Sequence, residues 1–241
     1  MTDQPATRHP LLDDLAHVSA ADGFGYLRGF LARLRQHPDP VRIVQLRRLG
    51  PTLAFSRRDE LHDGFDEASR RARALGFAPA VRLVGGTFAP LHEGSLVLDE
   101  YGTGAATILS PDELFTAHTR LVASVLRQAG ADAALGPVAH EYCPGIHSVN
   151  ARGAVKLAGT AARQSAGAWV VSSVIQVGRA APLREVTATV ADALDYDVDP
   201  DTVGSLSDEL DRDIDPVVIA DALVDAYRAE EGRVPLFLRM L

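Results

Sequence analysis

The stretch His140-Glu-Tyr-Cys-Pro-Gly-Ile-His-Ser-Val-Asn-Ala-Arg-Gly-Ala-Val-Lys-Leu-Ala-Gly159 contains the one cysteine and the one lysine of a 241-residue chain. Apart from histidine, every other basic side chain is arginine. A guanidinium stays charged at physiological pH, whereas an ammonium can give up its proton. A lysine retained among arginines therefore indicates a position that needs proton exchange, and chance survival of Lys156 in an arginine-biased composition is the alternative.

The same stretch opens a predicted β-meander. Its strands are predicted at residues 146–150, 154–163 and 168–177, with turns between them at 151–153 and 165–167. Alternation along the middle strand places Lys156 on the same face as Ala154 and Ala158. Because these neighbours are small, we expect room for a ligand beside the lysine.

Mixed elements precede the meander and helices follow it. Helices are predicted over residues 23–34, 58–75 and 114–129, and strands over 41–49, 80–84 and 96–101. The pattern is helical again after Pro182, with a last helix over residues 216–227. This order predicts an α+β fold with a mixed β-sheet flanked by helices. We expect one catalytic domain over residues 1–241, with a core at 41–178 and C-terminal helices at 182–229.

An acidic stretch, residues 195–215, separates the last two predicted helices. It begins like a calcium-binding loop, but Pro200 stands where the loop needs a glycine and Leu206 where it needs a bidentate glutamate. We interpret it as a solvated linker. The histidines show no metal-binding spacing, so no metal site is expected.

Composition narrows the class of protein. With 46% hydrophobic residues and a mean hydropathy of +0.02, we expect a soluble globular chain. We find no signal peptide or membrane-spanning apolar run, and a single cysteine cannot form an internal disulfide, so the reducing cytoplasm is expected. A net charge of -8 argues against nucleic acid as a partner.

Cys143 lies in the turn sequence Tyr142-Cys-Pro-Gly145. A free cysteine usually serves as a small buried hydrophobe, but a turn makes its sulfur accessible to a substrate. A lysine ammonium about 4 Å away favours the thiolate by up to about 4 kcal/mol at an effective dielectric near 20. The pair is therefore a candidate for nucleophilic catalysis, with Lys156 exchanging protons with an incoming amine.

Gly85-Gly86-Thr87 follows a predicted strand. Glycines at such a turn let backbone amides approach a carboxylate, carbonyl or phosphate, and Arg82 supplies charge three residues earlier. His92 follows closely and is expected to line the same pocket. An ordinary tight turn is the alternative.

Three segments resemble the lipoate–protein ligase and octanoyltransferase superfamily, which has a biotin/lipoate protein ligase-like catalytic domain. They are residues 82–94, 142–145 and 155–163, and the resemblance extends over residues 41–178. It implies that an Arg-x-x-Gly-Gly segment wraps an acyl chain and that a Lys-x-x-Gly strand presents Lys156 to the acyl carbonyl. The substrate-binding residues predicted on this basis are Arg82, Gly85, Gly86, Thr87, His92, Gly159 and Thr160.

The Tyr-Cys-Pro-Gly segment is similar to the cysteine-dependent octanoyl/lipoyl amidotransferase branch. This implies an acyltransferase in which Cys143 takes up an octanoyl or lipoyl group as a thioester and passes it to a lipoyl-domain lysine. The implied partners are the glycine cleavage H protein or dehydrogenase E2 lipoyl domains, with acyl carrier protein as a donor, and no cofactor is expected. The alternatives are a lipoate–protein ligase that uses ATP and magnesium, and a non-catalytic acyl- or lipoate-binding protein.

Overall fold

The computed structural model describes residues 23–37, 40–103, 111–165, 167–229 and 236–240. The described strands are β1 (Arg42–Arg47), β2 (Thr52–Phe55), β3 (Ala78–Val81), β4 (Ala89–Leu91), β5 (Ser95–Thr103), β6 (Ala133–Leu135), β7 (Val149–Ala151), β8 (Val155–Ser165), β9 (Ala168–Gln176) and β10 (Leu236–Met240). They form a seven-stranded sheet of order β10-β1-β5-β9-β8-β7-β6 and a three-stranded sheet of order β3-β2-β4.

The helices flank these sheets. They are α1 (Gly23–Leu34), α2 (Arg57–Glu60), α3 (Phe65–Ala74), α4 (Pro111–Gln128), α5 (Ala181–Ala193), α6 (Leu206–Glu209) and α7 (Pro216–Ala229), with a short 3-10 helix at Pro200–Thr202. The predicted α+β fold class is confirmed, because β1 pairs antiparallel with β5 and parallel with β10 in one mixed sheet. Residues 1–22 of the predicted domain lie outside the described part.

Two apolar layers cover the faces of the large sheet. On one face Val97, Val170 and Val174 belong to a core that includes residues of the small sheet, α1, α3 and α5. On the other face Leu98 and Ile175 pack with residues of α4 and α7. The alternation of residues 97 and 98 between the two layers follows from the period-2 geometry of a strand. None of the described helices combines the length and apolar character needed to span a bilayer.

The helix predicted over residues 58–75 is wrong as a single element. It is interrupted, because Ser56 and Asp59 form a reciprocal capping box that starts the short α2, and Gly64 precedes a separate α3. A side chain at position 64 would place its Cβ 2.0 Å from the carbonyl oxygen of Ala193. The close approach of α5 therefore requires glycine at the break.

The interpretation of residues 195–215 as a solvated linker is also wrong. Val203 and Leu206 are fully buried, and the amide of Gly204 donates a hydrogen bond of 3.1 Å to the carbonyl of Lys156. Val203 forms a parallel β-bridge with Lys156. The segment thus packs against β8 at the lysine. Its many acidic residues suggested solvent exposure, although Val203 and Leu206 between them are buried.

Candidate functional site

The cysteine lies in a loop, residues 141–148, that connects β6 to β7. The buried carboxylate of Glu141 accepts hydrogen bonds at Oε1 from the amide of Gly145, at 3.1 Å, and from the hydroxyl of Ser148, at 2.7 Å. Cys143 has a φ of +45°, in the left-handed region that costs a residue with a side chain about 1–3 kcal/mol. The loop therefore holds Cys143 in a conformation that it would not favour alone.

The sulfur of Cys143 receives two hydrogen bonds. Nη2 of Arg82 lies 3.1 Å from Sγ, and the amide nitrogen of Thr87 lies 3.3 Å from it. Burial raises the pKa of the thiol, but the charges of Arg82 and Lys156 and the hydrogen bonds from Thr87 and Arg82 outweigh it, so the pKa is lower than usual. The residue is partly exposed. These features are typical of a reactive thiolate.

Arg82 organises the glycine turn around this sulfur. Its Nη2 also donates to the carbonyls of Gly85, at 2.9 Å, and Thr87, at 2.7 Å. Gly86 has a φ of +90°, and a Cβ added there would lie 2.4 Å from the Cys143 sulfur. Position 86 therefore requires glycine both for its backbone conformation and for its contact with the thiol.

Lys156 is fully buried and anchors the backbone of the cysteine loop. Its Nζ donates to the carbonyls of Tyr142, at 2.9 Å, and Cys143, at 2.8 Å, and lies 3.5 Å from Oε2 of Glu141. Burial lowers the pKa of the ammonium and Arg82 lowers it further, against the opposing effects of Cys143 and Glu141. The side chain is thus a cation that gives up its proton more readily than usual, next to Cys143.

The room expected beside Lys156 is not there. A register shift between Val149 and Asn150 interrupts the pairing of β7 with β8, and Leu157 and Ala158 both pack in the same apolar layer. Simple alternation therefore fails at this end of β8. A Cβ added to Gly159 would lie 2.8 Å from Cε of the lysine, so glycine is needed at that position to accommodate the buried side chain.

Two other predicted substrate-binding residues, His92 and Thr160, make their hydrogen bonds to other parts of the fold. His92 Nδ1 accepts from the amide of Gly94, at 2.7 Å, and its Nε2 lies 3.0 Å from the carbonyl oxygen of Arg179. Thr160 Oγ1 lies 2.7 Å from Oγ of the fully buried Ser173. Close contacts therefore connect Arg82, Gly86, Thr87 and Gly159 with the cysteine or the lysine, and the hydrogen bonds of His92 and Thr160 do not.

Thr160 ends a buried polar chain below the sheet. Ser173 Oγ lies 3.0 Å from Nε2 of His118, and Nδ1 of that histidine lies 3.1 Å from Oε2 of Glu100. The order of carboxylate, imidazole and hydroxyl resembles a hydrolase triad, but all three side chains are buried. Their placement between β5, β9 and α4 indicates a role in fixing that helix to the sheet.

Sequence reasoning missed Glu141 and the contact of Arg82 with the sulfur. The one signal in the sequence for Glu141 was its position two residues before the cysteine. Arg82 and Cys143 are 61 positions apart, so their contact depends on the packing of the glycine turn against the loop. Among the described residues no group of three His, Cys, Asp or Glu is placed to hold a metal ion.

An open cleft of about 480 Å³ adjoins the glycine turn. Its lining includes Leu83, Val84, Gly85 and Gly86 on one side and Arg163 on another. Gly86 adjoins the sulfur as well, so one glycine separates the thiol from a space large enough for a small molecule.

No protein-family model matches the chain, and no curated protein sequence does. Solved structures are similar to it. A lipoate-protein ligase A bound with ATP has 16% sequence identity and a TM-score of 0.66, with 90% of this chain and 84% of that chain covered. The chain has the lipoate–protein ligase fold.

Two further structures share this fold. Ta0514, a candidate lipoate protein ligase from T. acidophilum with bound lipoic acid, has 17% identity and a TM-score of 0.62 over 83% of this chain and 76% of that chain. A bi-partite lipoate protein ligase from Thermoplasma acidophilum, described with its E2 lipoyl domain, has 16% identity and a TM-score of 0.57 over 85% and 78%. The fold implied by the sequence resemblance is confirmed.

Proposed function

We propose that the chain is a protein acyltransferase that moves an octanoyl or lipoyl group onto a lipoyl-domain lysine through a thioester on Cys143. The observation that carries this proposal is the sulfur environment: Arg82 Nη2 at 3.1 Å and the Thr87 amide at 3.3 Å, on a partly exposed left-handed residue. A structural cysteine has no need of two donors at its sulfur. A nucleophile does, because both donors favour the thiolate.

In the first half-reaction the Cys143 thiolate attacks the carbonyl carbon of a donor thioester. A new carbon–sulfur bond forms, the donor carbon–sulfur bond breaks, and the donor leaves as a thiolate that takes up a proton. The carbonyl oxygen becomes an oxyanion during the attack. The Gly85-Gly86 turn beside the sulfur is where backbone amides are available to stabilise it.

In the second half-reaction the acceptor amine attacks the Cys143 thioester: a carbon–nitrogen bond forms, the acyl carbon–sulfur bond breaks, Cys143 leaves as its thiolate, and the amine loses a proton. Lys156 is the basic group best placed to receive it, because its Nζ lies 2.8 Å from the carbonyl oxygen of Cys143 and burial lowers its pKa. The neutral amine form of Lys156 accepts the proton, and the ammonium so formed then stabilises the negative charge on the acyl oxygen. When Lys156 gives up its hydrogen bond to one of the two loop carbonyls, an N–H group becomes available for the acyl oxygen, and Glu141 keeps the ammonium in position.

The acceptor class is inferred from a protein of similar fold. One solved structure of this fold is described together with an E2 lipoyl domain. We infer that this chain also modifies a lipoyl domain, of an E2 subunit or of a glycine cleavage H protein, and that an acyl carrier protein is a donor. Transfer from a thioester donor requires no ATP, since the energy of the thioester bond is retained on Cys143.

The second candidate is an ATP-dependent lipoate–protein ligase. The observation in its favour is that one structure of this fold is a lipoate-protein ligase A bound with ATP. In that case Lys156 contacts an acyl adenylate, magnesium and ATP are required, and the sulfur takes no part. A non-catalytic acyl- or lipoate-binding protein is a third candidate and predicts binding without turnover.

One transfer assay distinguishes the three candidate functions. A lipoyl domain is incubated with octanoyl thioester donor alone, or with octanoate, ATP and magnesium, and its mass is followed for the wild type and for Cys143→Ser. We expect transfer from the thioester without ATP, and its loss in the serine variant. Transfer that requires ATP and survives in Cys143→Ser supports the ligase, and no transfer with either donor supports the binding protein.

A further inference from the structure

Three arginines line the cleft beside the thiol. Arg57 and Arg58 belong to α2 and Arg163 to β8, and all three are exposed. The chain as a whole has a net charge of -8, yet none of the described residues that line the cleft is acidic. The cleft is therefore a local concentration of positive charge on an acidic protein, which favours an anionic ligand.

These guanidiniums keep hydrogen-bond donors for a ligand. Arg58 makes no hydrogen bond or ion pair with any described residue. Arg163 donates one bond of 3.3 Å to the carbonyl of Leu83, and Arg57 pairs with Glu60. Because each guanidinium has five N–H donors in a planar fork, most of the donors remain for the oxygens of a phosphate.

The position of the cleft defines where the anion lies relative to the reaction. The lining includes Gly85 and Gly86, and Gly86 adjoins the sulfur, but neither Cys143 nor Lys156 lines the cleft. An anion held by the arginines is therefore beside the glycine turn and does not contact the sulfur. A donor whose phosphate and thioester are joined by a long arm can place its phosphate in the cleft and its thioester at the sulfur.

We propose, on the basis of the acyl-transfer function proposed above, that the cleft of Arg57, Arg58 and Arg163 binds the phosphate of a phosphopantetheine arm. The acyl group is attached through a thioester at the other end of this arm. With the phosphate on the arginines, the arm passes the glycine turn and delivers the thioester to Cys143. The volume of about 480 Å³ is within the range of small-molecule sites.

The test compares two donors that differ by a single phosphate. Octanoyl-pantetheine and octanoyl-phosphopantetheine are each incubated with the protein, and the octanoyl adduct on Cys143 is followed by intact mass. We expect the phosphorylated donor to acylate the cysteine at least about tenfold faster at low concentration, as charge-assisted hydrogen bonds to phosphate predict. Equal rates with the two donors overturn the phosphate site and leave the acyl-enzyme intact, whereas no adduct from either donor overturns the acyl-transfer function itself.

Variants of the cleft arginines test whether these residues cause the advantage of the phosphorylated donor. Arg58→Gln and Arg163→Gln are each expected to remove most of the advantage of the phosphorylated donor without changing the rate with octanoyl-pantetheine. Arg120→Gln, an exposed arginine on α4, is the matched control and is expected to leave both rates unchanged. If the two cleft variants behave like Arg120→Gln, the arginines do not hold the phosphate.

Two further donors identify the source of the arm. Octanoyl-coenzyme A and an octanoyl carrier protein both present the same phosphopantetheine thioester. Faster acylation by the carrier than by the coenzyme, with both above octanoyl-pantetheine, identifies a carrier protein, and equal rates identify the free coenzyme. An advantage confined to the carrier, with none for octanoyl-phosphopantetheine, means that the arginines contact the surface of the carrier, and it overturns the phosphate proposal.

Discussion

Replacement of Arg82 by glutamine removes the charged donor that contacts the Cys143 sulfur at 3.1 Å. A hydrogen bond to a charged group contributes about 1.5–3 kcal/mol. At about 1.4 kcal/mol per tenfold change in an equilibrium, Arg82→Gln lowers the thiolate population about 10- to 100-fold at a pH below the titration midpoint. Lys156 and the Thr87 amide still act on the sulfur, so the thiolate does not disappear. The pKa of the thiol therefore moves upward.

The rate of iodoacetamide alkylation, measured against pH, reports this change directly. We expect the midpoint of the profile to shift to higher pH in Arg82→Gln, with an unchanged rate on the high-pH plateau. Arg82→Lys keeps the positive charge but loses the planar set of guanidinium N–H donors, so an intermediate midpoint is expected. Arg120→Gln is the surface control. Thermal unfolding checks that each variant is folded. An unchanged midpoint in a folded Arg82→Gln protein would refute the claim that this arginine activates the sulfur.

Further expectations follow for the lysine, the glycine turn and the buried acid. Lys156→Arg forces a larger group into a fully buried site and removes a titratable proton, so acyl transfer falls at least about 10²-fold, measured by acceptor mass. Gly86→Ala, at φ +90° with its Cβ 2.4 Å from the sulfur, slows alkylation and lowers the melting temperature. Burial raises the pKa of Glu100, but the hydrogen bond and charge of His118 bring it to about 2, below its unfolded value. The ionised Glu100 carboxylate therefore stabilises the folded protein fully above the unfolded pKa, and this stabilisation declines as the pH falls toward 2, so about 2 kcal/mol of it is lost by pH 3. Urea unfolding measured at pH 7 and at pH 3 should show a smaller loss of stability in Glu100→Gln than in the wild type.

Elements with strong local signals were predictable from the sequence. The helix over residues 23–34 has its predicted bounds, and the predicted helix over 114–129 is found at Pro111–Gln128. The meander is present as β7, β8 and β9, but its first strand is Val149–Ala151 and not residues 146–150. In each case a long periodic pattern or a glycine-containing turn identifies the element before any tertiary contact is considered.

Features that depend on tertiary contacts were not predictable. The capping box that starts α2 and the burial of Val203 both arise within polar sequence, where composition suggests solvent exposure. At the site, the sequence suggested an ammonium beside the sulfur, whereas the guanidinium of Arg82 makes that contact and Lys156 binds the loop carbonyls. Spacing along the chain contains no information about which of two cations reaches a sulfur.

The most direct test of the account is the mass of the protein itself after incubation with octanoyl-phosphopantetheine, without acceptor, ATP or magnesium. We expect one octanoyl group per chain, located by peptide mapping on Cys143, removed by hydroxylamine, and discharged onto an added lipoyl domain. A chain that stays unmodified while the lipoyl domain is acylated, or an octanoyl group found on any residue other than Cys143, would contradict the thioester mechanism.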